Sequence, residues 1–168
     1  TNLATQLSPL LAAGRTAPVA VFMPLRAAQA RLVVAQLKVS PIAMLPRVST
    51  SLILSGASAS KDGELDGVEF PELPWLLGTR AGYPDAGAMA DKLLTASGPS
   101  QRLFAFGLDA WKLAAYFDRF GVDPGYTLHG ATGELRLDGV GVIQREANWA
   151  VFSAGRPRAV FSSAPPVR

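Results

Sequence analysis

The chain has 168 residues, 49% of them hydrophobic and 17% charged, with a formal charge of +3 and no cysteine. That length suits a domain of ordinary size, and the apolar content is ample for a core and excludes a disordered chain. The absence of cysteine removes disulfide scaffolds, thiolate metal sites and cysteine nucleophiles.

Charge lies below the usual share of about 25%, as in a chain that hides surface against a partner or another segment. Twelve arginines and four lysines stand against 13 acids. They are scattered, form no helical stripe and accompany no RNA-binding or helix-turn-helix signature, so no nucleic-acid partner is expected. No apolar run approaches the roughly 18 residues of a membrane span, and no signal peptide opens the chain. It begins at Thr1 without Met, which reads as a processed product or an excised piece.

In chain order, Ser8-Pro9 reads as a helix start, with Gly14 as its end. Val19–Met23, between Pro18 and Pro24, reads as a strand buried on both faces. From Leu25 to Lys38, Ala27, Ala30, Val33, Val34 and Leu37 recur at helical spacing, and Pro41 prevents extension. Met44–Ser49 reads as a short strand, Thr50–Gly63 as a Ser/Ala/Gly loop and Asp66–Phe70 as a third strand, which makes a βαβ unit. Gly78–Asp85 is loop-like. Ala86–Ala96 predicts a helix with Met89, Leu93 and Leu94 inward, broken at Gly98-Pro99-Ser100. Leu108–Phe120 predicts the strongest helix, with Ala110, Leu113, Ala114 and Phe117 inward, Asp109 in its first turn and Arg119 in its last. From Gly130 the period becomes two: Glu134–Leu137, Val142–Arg145, Trp149–Phe152 and Arg158–Phe161 predict a β-meander, with a frayed tail from Ser162.

Few residues point to chemistry. His129 has no orienting acid or nucleophile near it in sequence. Asp62, Glu64, Asp66, Glu69 and Glu72 crowd one region without the spacing of a calcium loop, and Asp62-Gly63 and Asp66-Gly67 read more simply as turns. Gly130-Ala131-Thr132-Gly133 precedes a strand, not the helix a phosphate cradle needs, so its glycines permit a tight entry into the meander. Thr50 and Ser51 follow the second strand, where open α/β sheets bind ligands. Trp75 reads as core or as an anchor between lobes.

These segments carry a resemblance. Leu65–Leu77, LDGVEFPELPWLL, is similar to a segment of the penicillin-binding-protein activator lipoproteins of Gram-negative bacteria. Gln29-Ala30-Arg31-Leu32, Leu45-Pro46 with Thr50-Ser51, Leu108-Asp109-Ala110, Gly130–Gly133, Gln144-Arg145 and Trp149-Ala150 resemble further motifs of that family. The likeness covers Val19–Val160. It departs in the absence of a lipidated cysteine and of a helical-repeat region, and in Val19 where the family often has an acid.

The resemblance implies an α/β fold, type I periplasmic-binding-protein-like, with parallel sheets, flanking helices and a C-terminal β-meander, the chain covering the later part of a two-lobed domain. Residues 1–77 would form part of one lobe, 78–145 return helices and strands of the other, and 146–168 closing strands and tail. It implies a non-enzymatic periplasmic regulator that activates a bifunctional peptidoglycan synthase, a class A penicillin-binding protein, from the outer membrane. The intact protein would reach that membrane through a lipid anchor absent from this chain. The alternative is a solute-binding protein with a small ligand in the interlobe cleft, lined by Thr50 and Ser51. Trp75, Arg80 and Tyr83 are the expected interaction residues. No cofactor, metal or catalytic residue is expected. A further partner is expected to cover surface left open here: the missing N-terminal portion of the same protein, or a second copy.

Overall fold

The computed structural model describes Thr5, Ser8, residues 20–54 and residues 62–160. The expected first helix, residues 55–61 of the Ser-rich loop and the tail from 161 lie outside the described residues. The chain divides into two compact units: one runs to Phe70 and takes in Ala150–Arg158, the other covers Pro71–Trp149.

In the first unit, β1 (Val21–Met23) and β2 (Arg47–Ser49) pair in parallel, Val21 opposite Arg47. The helix between them, α1 (Ala27–Lys38), buries Ala27, Ala30, Val34 and Leu37. Steps of three and four keep those four on one side of a 3.6-residue helix. Strand β3 (Val68–Glu72) pairs in parallel with β2 and buries alternate residues, Val68, Phe70 and Glu72. The expected βαβ order is therefore present; β1 and β2 are shorter than the expected strands, and β3 keeps five residues but begins two positions later.

The final strands depart from the expected single meander. Strands β4 (Thr127–His129), β5 (Glu134–Leu137) and β6 (Ile143–Glu146) form an antiparallel three-stranded sheet. Strands β7 (Asn148–Ser153) and β8 (Arg156–Val160) instead complete a sheet of order β1-β2-β3-β7-β8. The reason is burial: Ala150 and Phe152 lie inside, and the Phe152 ring stacks on Phe70 with centroids 4.8 Å apart. Period-two alternation marks a strand with one covered face but does not say which sheet covers it.

In the second unit, α2 (Pro74–Leu77) is a single turn opened by proline. Helix α3 (Ala86–Lys92) is capped by Asp85, whose carboxylate accepts from Ala88 N at 2.8 Å. Leu93 and Leu94, expected inside, are exposed, because α3 ends at Lys92 and a 3₁₀ turn over Leu94–Ala96 follows. Helix α4 (Gln101–Val122) starts seven residues before the expected Leu108. Gly98-Pro99-Ser100 forms a 3₁₀ turn leading directly into it. At 22 residues it is about 33 Å long. Asp109 thus lies mid-helix and not in a first turn, and Ala110, Ala114 and Phe117 are exposed rather than inward.

Two apolar clusters hold this unit. Trp75, Ala105 and Ala131 gather Leu73, Met89, Phe104 and Leu108, while Phe120, Leu128 and Leu135 gather Leu113, Tyr126 and Ile143. At the β5–β6 connection, the Asp138 carboxylate accepts from Val140 N, Val142 N and Gln144 Nε2. The bond from Val142 N leads the contacts that hold the Asp138 carboxyl below its usual range.

The β7–β8 turn is strained by its own sequence. Ala154 and Gly155 both have positive φ, +52° and +69°, the signature of a two-residue hairpin turn that prefers Asn-Gly. Asp66 holds it, accepting from Ala154 N at 3.1 Å and Gly155 N at 2.9 Å. Asn tolerates the left-handed region that costs an L-residue about 1–2 kcal/mol. Ala154→Asn is therefore expected to raise stability by about 0.5–1 kcal/mol. Asp66→Ala is expected to lower it by about 1–2 kcal/mol. Urea midpoints of the two variants check both.

Candidate functional site

Trp75 enters the interior because Pro74 starts a helical turn directly after β3. Its ring is 1% exposed and stacks on Phe104 with centroids 5.7 Å apart. The indole Nε1 donates to the Pro84 carbonyl at 2.7 Å, and the backbone N donates to the Ala131 carbonyl at 3.2 Å. Of the two roles expected for Trp75, core or anchor between lobes, its 1% exposure in this cluster is that of a core residue.

Ala131 belongs to the Gly130–Gly133 loop, which closes on itself through Gly130 N donating to the Gly133 carbonyl at 2.8 Å. The loop wraps around the Asp109 carboxylate. Asp109 Oδ1 accepts from Ala131 N at 2.6 Å and from the Tyr83 hydroxyl at 2.8 Å. Oδ2 accepts from Thr132 N at 2.8 Å and from the Thr132 hydroxyl at 2.6 Å. A Cβ at Gly130 would sit 2.6 Å from Asp109 Oδ2, and one at Gly133 2.3 Å from the Glu146 carbonyl. Gly133 also has φ +144°. Both glycines are thus required by close approach, as the expected tight entry into the meander demands.

Arg80 braces the loop from outside. Its Nε donates to the Gly130 carbonyl at 3.1 Å and its Nη2 to Glu134 at 2.6 Å. The other Glu134 oxygen meets His129 Nδ1, whose ring is largely exposed. The Lys112 ammonium lies 3.7 Å from the Tyr83 ring centroid. Burial first, and the hydrogen bond to Asp109 second, push the Tyr83 phenol well above the ordinary tyrosine range. Trp75, Arg80 and Tyr83 are therefore brought together, as parts of one structural knot. Asp109 is the residue that sequence reading placed wrongly. Its signal was an acid among apolar residues in the middle of a helical pattern.

What this knot can do chemically is limited. A general base needs a free lone pair within reach of substrate. Asp109 is 2% exposed, and both its oxygens hold two donors each. The crowded acids disperse into structural roles. Asp62 meets Arg31 at 2.6 Å, Asp66 holds the β7–β8 turn, and the buried Glu72 pairs with Arg102 and accepts from Leu73 N at 2.8 Å. Glu64 and Glu69 are exposed. Among the described residues no group of three or more His, Cys, Asp or Glu is placed to hold a metal ion.

Thr50 and Ser51 stand in the first unit, at the end of β2. Thr50 leads into a 3₁₀ turn, its carbonyl accepting from Ile53 N at 3.1 Å, and its hydroxyl is buried with no hydrogen-bond partner among the described residues. Ser51 is half-buried, and its carbonyl accepts from Leu54 N at 3.2 Å.

The structure defines an α/β protein of the kind seen in periplasmic ligand receptors. It matches a putative branched-chain amino acid ABC transporter from Chromobacterium violaceum at TM-score 0.58 and 26% identity, over 89% of this chain and 46% of that one. The likeness to the LpoA C-domain from Haemophilus influenzae, described as a regulator of PBP1A, is higher in TM-score: 0.71 at 22% identity, over 95% of this chain and 50% of that one.

Sequence carries the assignment further. The profile of the LppC putative lipoprotein family matches residues 6–155. The penicillin-binding protein activator LpoA of Photobacterium profundum is 32% identical over 120 residues, 71% of this chain. Its namesake in Klebsiella pneumoniae is 30% identical over 123 residues, 68% of this chain. The chain belongs to this family of penicillin-binding protein activator lipoproteins. It spans 19% and 17% of the length of those two relatives.

Removing the Asp109 carboxylate leaves three buried donors and the Tyr83 hydroxyl without it. Each unsatisfied group costs about 1–3 kcal/mol, not additively, so Asp109→Ala is expected to lose more than about 3 kcal/mol. Gly133→Ala, which forces a Cβ onto a carbonyl, is expected to lose about 2 kcal/mol or more. Urea unfolding followed by tryptophan fluorescence checks both.

Tyr83 adds a pH test. Its pKa is raised, so its contribution is complete below the unfolded value of about 10 and disappears as pH rises beyond it. Tyr83→Phe is expected to cost about 1 kcal/mol near neutrality and to flatten the alkaline loss of stability. Urea midpoints taken from neutral to alkaline pH check the sign.

Proposed function

We propose that this chain is part of a non-enzymatic periplasmic regulator. It acts by binding a bifunctional peptidoglycan synthase, a class A penicillin-binding protein, and raising its activity. The intact protein would be held at the outer membrane by a lipid anchor. The observation that carries this reading is the 32% identity, across 71% of the chain, to a protein named as a penicillin-binding protein activator. The geometry supports it: the buried Asp109 carboxylate is saturated by four donors from Tyr83 and the Gly130–Gly133 loop and is suited to rigidity, not turnover. Arg80 would contribute through the partly exposed charged rim it forms with Glu134 and His129, and Tyr83 through the Lys112 ammonium over its ring; a rim charge of this kind governs association rate and orientation more than affinity.

The test is direct. Purified chain is immobilised and presented with class A penicillin-binding proteins, and glycan polymerisation and cross-linking are then measured with and without it. Retention of one synthase and an increase in its product are expected. Retention of none overturns the reading.

One observation favours a second reading, a small solute bound at the end of β2: the buried hydroxyl of Thr50, which has no hydrogen-bond partner among the described residues. A polar group in that position is normally hydrogen-bonded. Under this reading a solute screen raises the melting temperature, and Thr50→Val abolishes the rise.

A further inference from the structure

Helix α1 turns an uncharged side outward. Its buried residues Ala27, Ala30, Val34 and Leu37 face into the first unit. The opposite side carries Ala28, Gln29, Leu32, Ala35 and Gln36, all exposed, and Val39 caps its end. Leu32 is 68% exposed and Val39 88%. A surface helix normally places its charges on that side. The charged residues of α1 are Arg31 and Lys38, and both reach back into their own unit. Arg31 meets Asp62, and Lys38 Nζ donates to the Glu64 carbonyl at 2.9 Å. The apolar residues of the outward side, Ala28, Leu32, Ala35 and Val39, follow one another in steps of four, three and four. That is the repeat of about 3.5 residues by which one helix seats against another. Their sizes alternate small, large, small, large, and the reverse order alternates large, small, large, small. Two copies laid antiparallel therefore set Ala28 against Val39 and Leu32 against Ala35 at every step. A two-fold interface uses one patch twice and must be complementary to itself. A parallel pair would set Leu32 on Leu32 and Ala35 on Ala35, with no such match of size.

We propose that the outward side of α1 is the contact through which two copies of the chain associate, antiparallel, about a two-fold axis level with Val33. The remainder of a two-lobed domain is not the occupant. An α/β domain is built of two or three layers, with the sheet inside and helices outside. The inner side of α1 already faces that interior, so further strands and helices of the domain extend beside α1 and leave its outer side to solvent. The contact is one short helix per copy, at the small end of specific interfaces, so the dimer is weak and concentration-dependent. The proposal takes up the second copy expected above. Its test contains no synthase, so it succeeds or fails independently of the activator reading.

The chain has no cysteine, so single introduced thiols report the register. Ala28→Cys and Val39→Cys chains are prepared separately, treated with a short bis-maleimide alone and as a mixture, and separated by mass on a denaturing gel. The mixture is expected to give a crosslinked dimer. Neither variant alone is expected to do so, because the two copies of either position lie about 16 Å apart along the helices. Sedimentation equilibrium of the unmodified chain should show a dimer. Leu32→Glu with Val39→Glu should raise its dissociation constant at least tenfold, while Val140→Glu, equally exposed but in the second unit, should leave it unchanged. Both substituted side chains on α1 are open in the single chain, so circular dichroism and the urea midpoint should not move. Crosslinking of either variant with itself as efficiently as in the mixture overturns the proposal. So does a chain that stays monomeric at every concentration, or a dimer dissociated by Phe106→Glu with Trp111→Glu and not by the α1 pair. Loss of the dimer when the remaining half of the Haemophilus C-domain is added assigns the outer side of α1 to that half and overturns it as well.

Discussion

A carboxylate in the middle of a helix, closed off from water, must be solvated by protein or it is not tolerated as a charge. Asp109 is solvated by a loop that arrives from the other side of the sequence. Two backbone N–H groups, a threonine hydroxyl and a tyrosine hydroxyl converge on its two oxygens. Much of the second unit is arranged around that demand. Gly130 and Gly133 lack side chains because the carboxylate and the Glu146 carbonyl fill the space. Trp75 is drawn to the same loop through its backbone N, and Arg80 neutralises the carbonyl and carboxylate on the outer side.

The same constraint fixes the carboxylate in place. Catalytic carboxylates are left partly unsatisfied or share a proton. Here each carboxylate oxygen holds two donors, and the acids Glu72 and Glu134 of the same unit are each paired with an arginine. Such a unit holds its shape, which suits the action by contact proposed above. Helix α4 meets that demand while packing Phe104, Ala105 and Leu108 inward beside the carboxylate, and it leaves Leu103, Phe106 and Trp111 exposed.

Local pattern made much of the fold legible. The 3–4 spacing of Ala27, Ala30, Val34 and Leu37 gives α1 its buried face, and the apolar runs ending at Met23 and Ser49 give parallel strands. The Gly-rich entry to β5 also agrees with the sequence. Other features were not legible in the same way. Ala110, Ala114 and Phe117 have a helical period, but period fixes only that residues share a face, not that the face is covered. Asp109 looked like a dipole-stabilising acid because the helix start was placed at Leu108; the Gly98-Pro99-Ser100 breaker is in fact the turn from which the helix begins.

The sequence by itself determined α1, the βαβ order and the family, because each follows from short-range periodicity or from motifs that survive as strings. The tertiary structure decided which sheet receives β7 and β8, which face of α4 is open and which residues grip the Gly130–Gly133 loop. Those depend on contacts between residues 20 to 90 positions apart, such as Asp109 with Thr132 and Asp66 with Gly155. No local rule specifies such pairings, since each is selected by the burial and hydrogen bonding of the assembled chain.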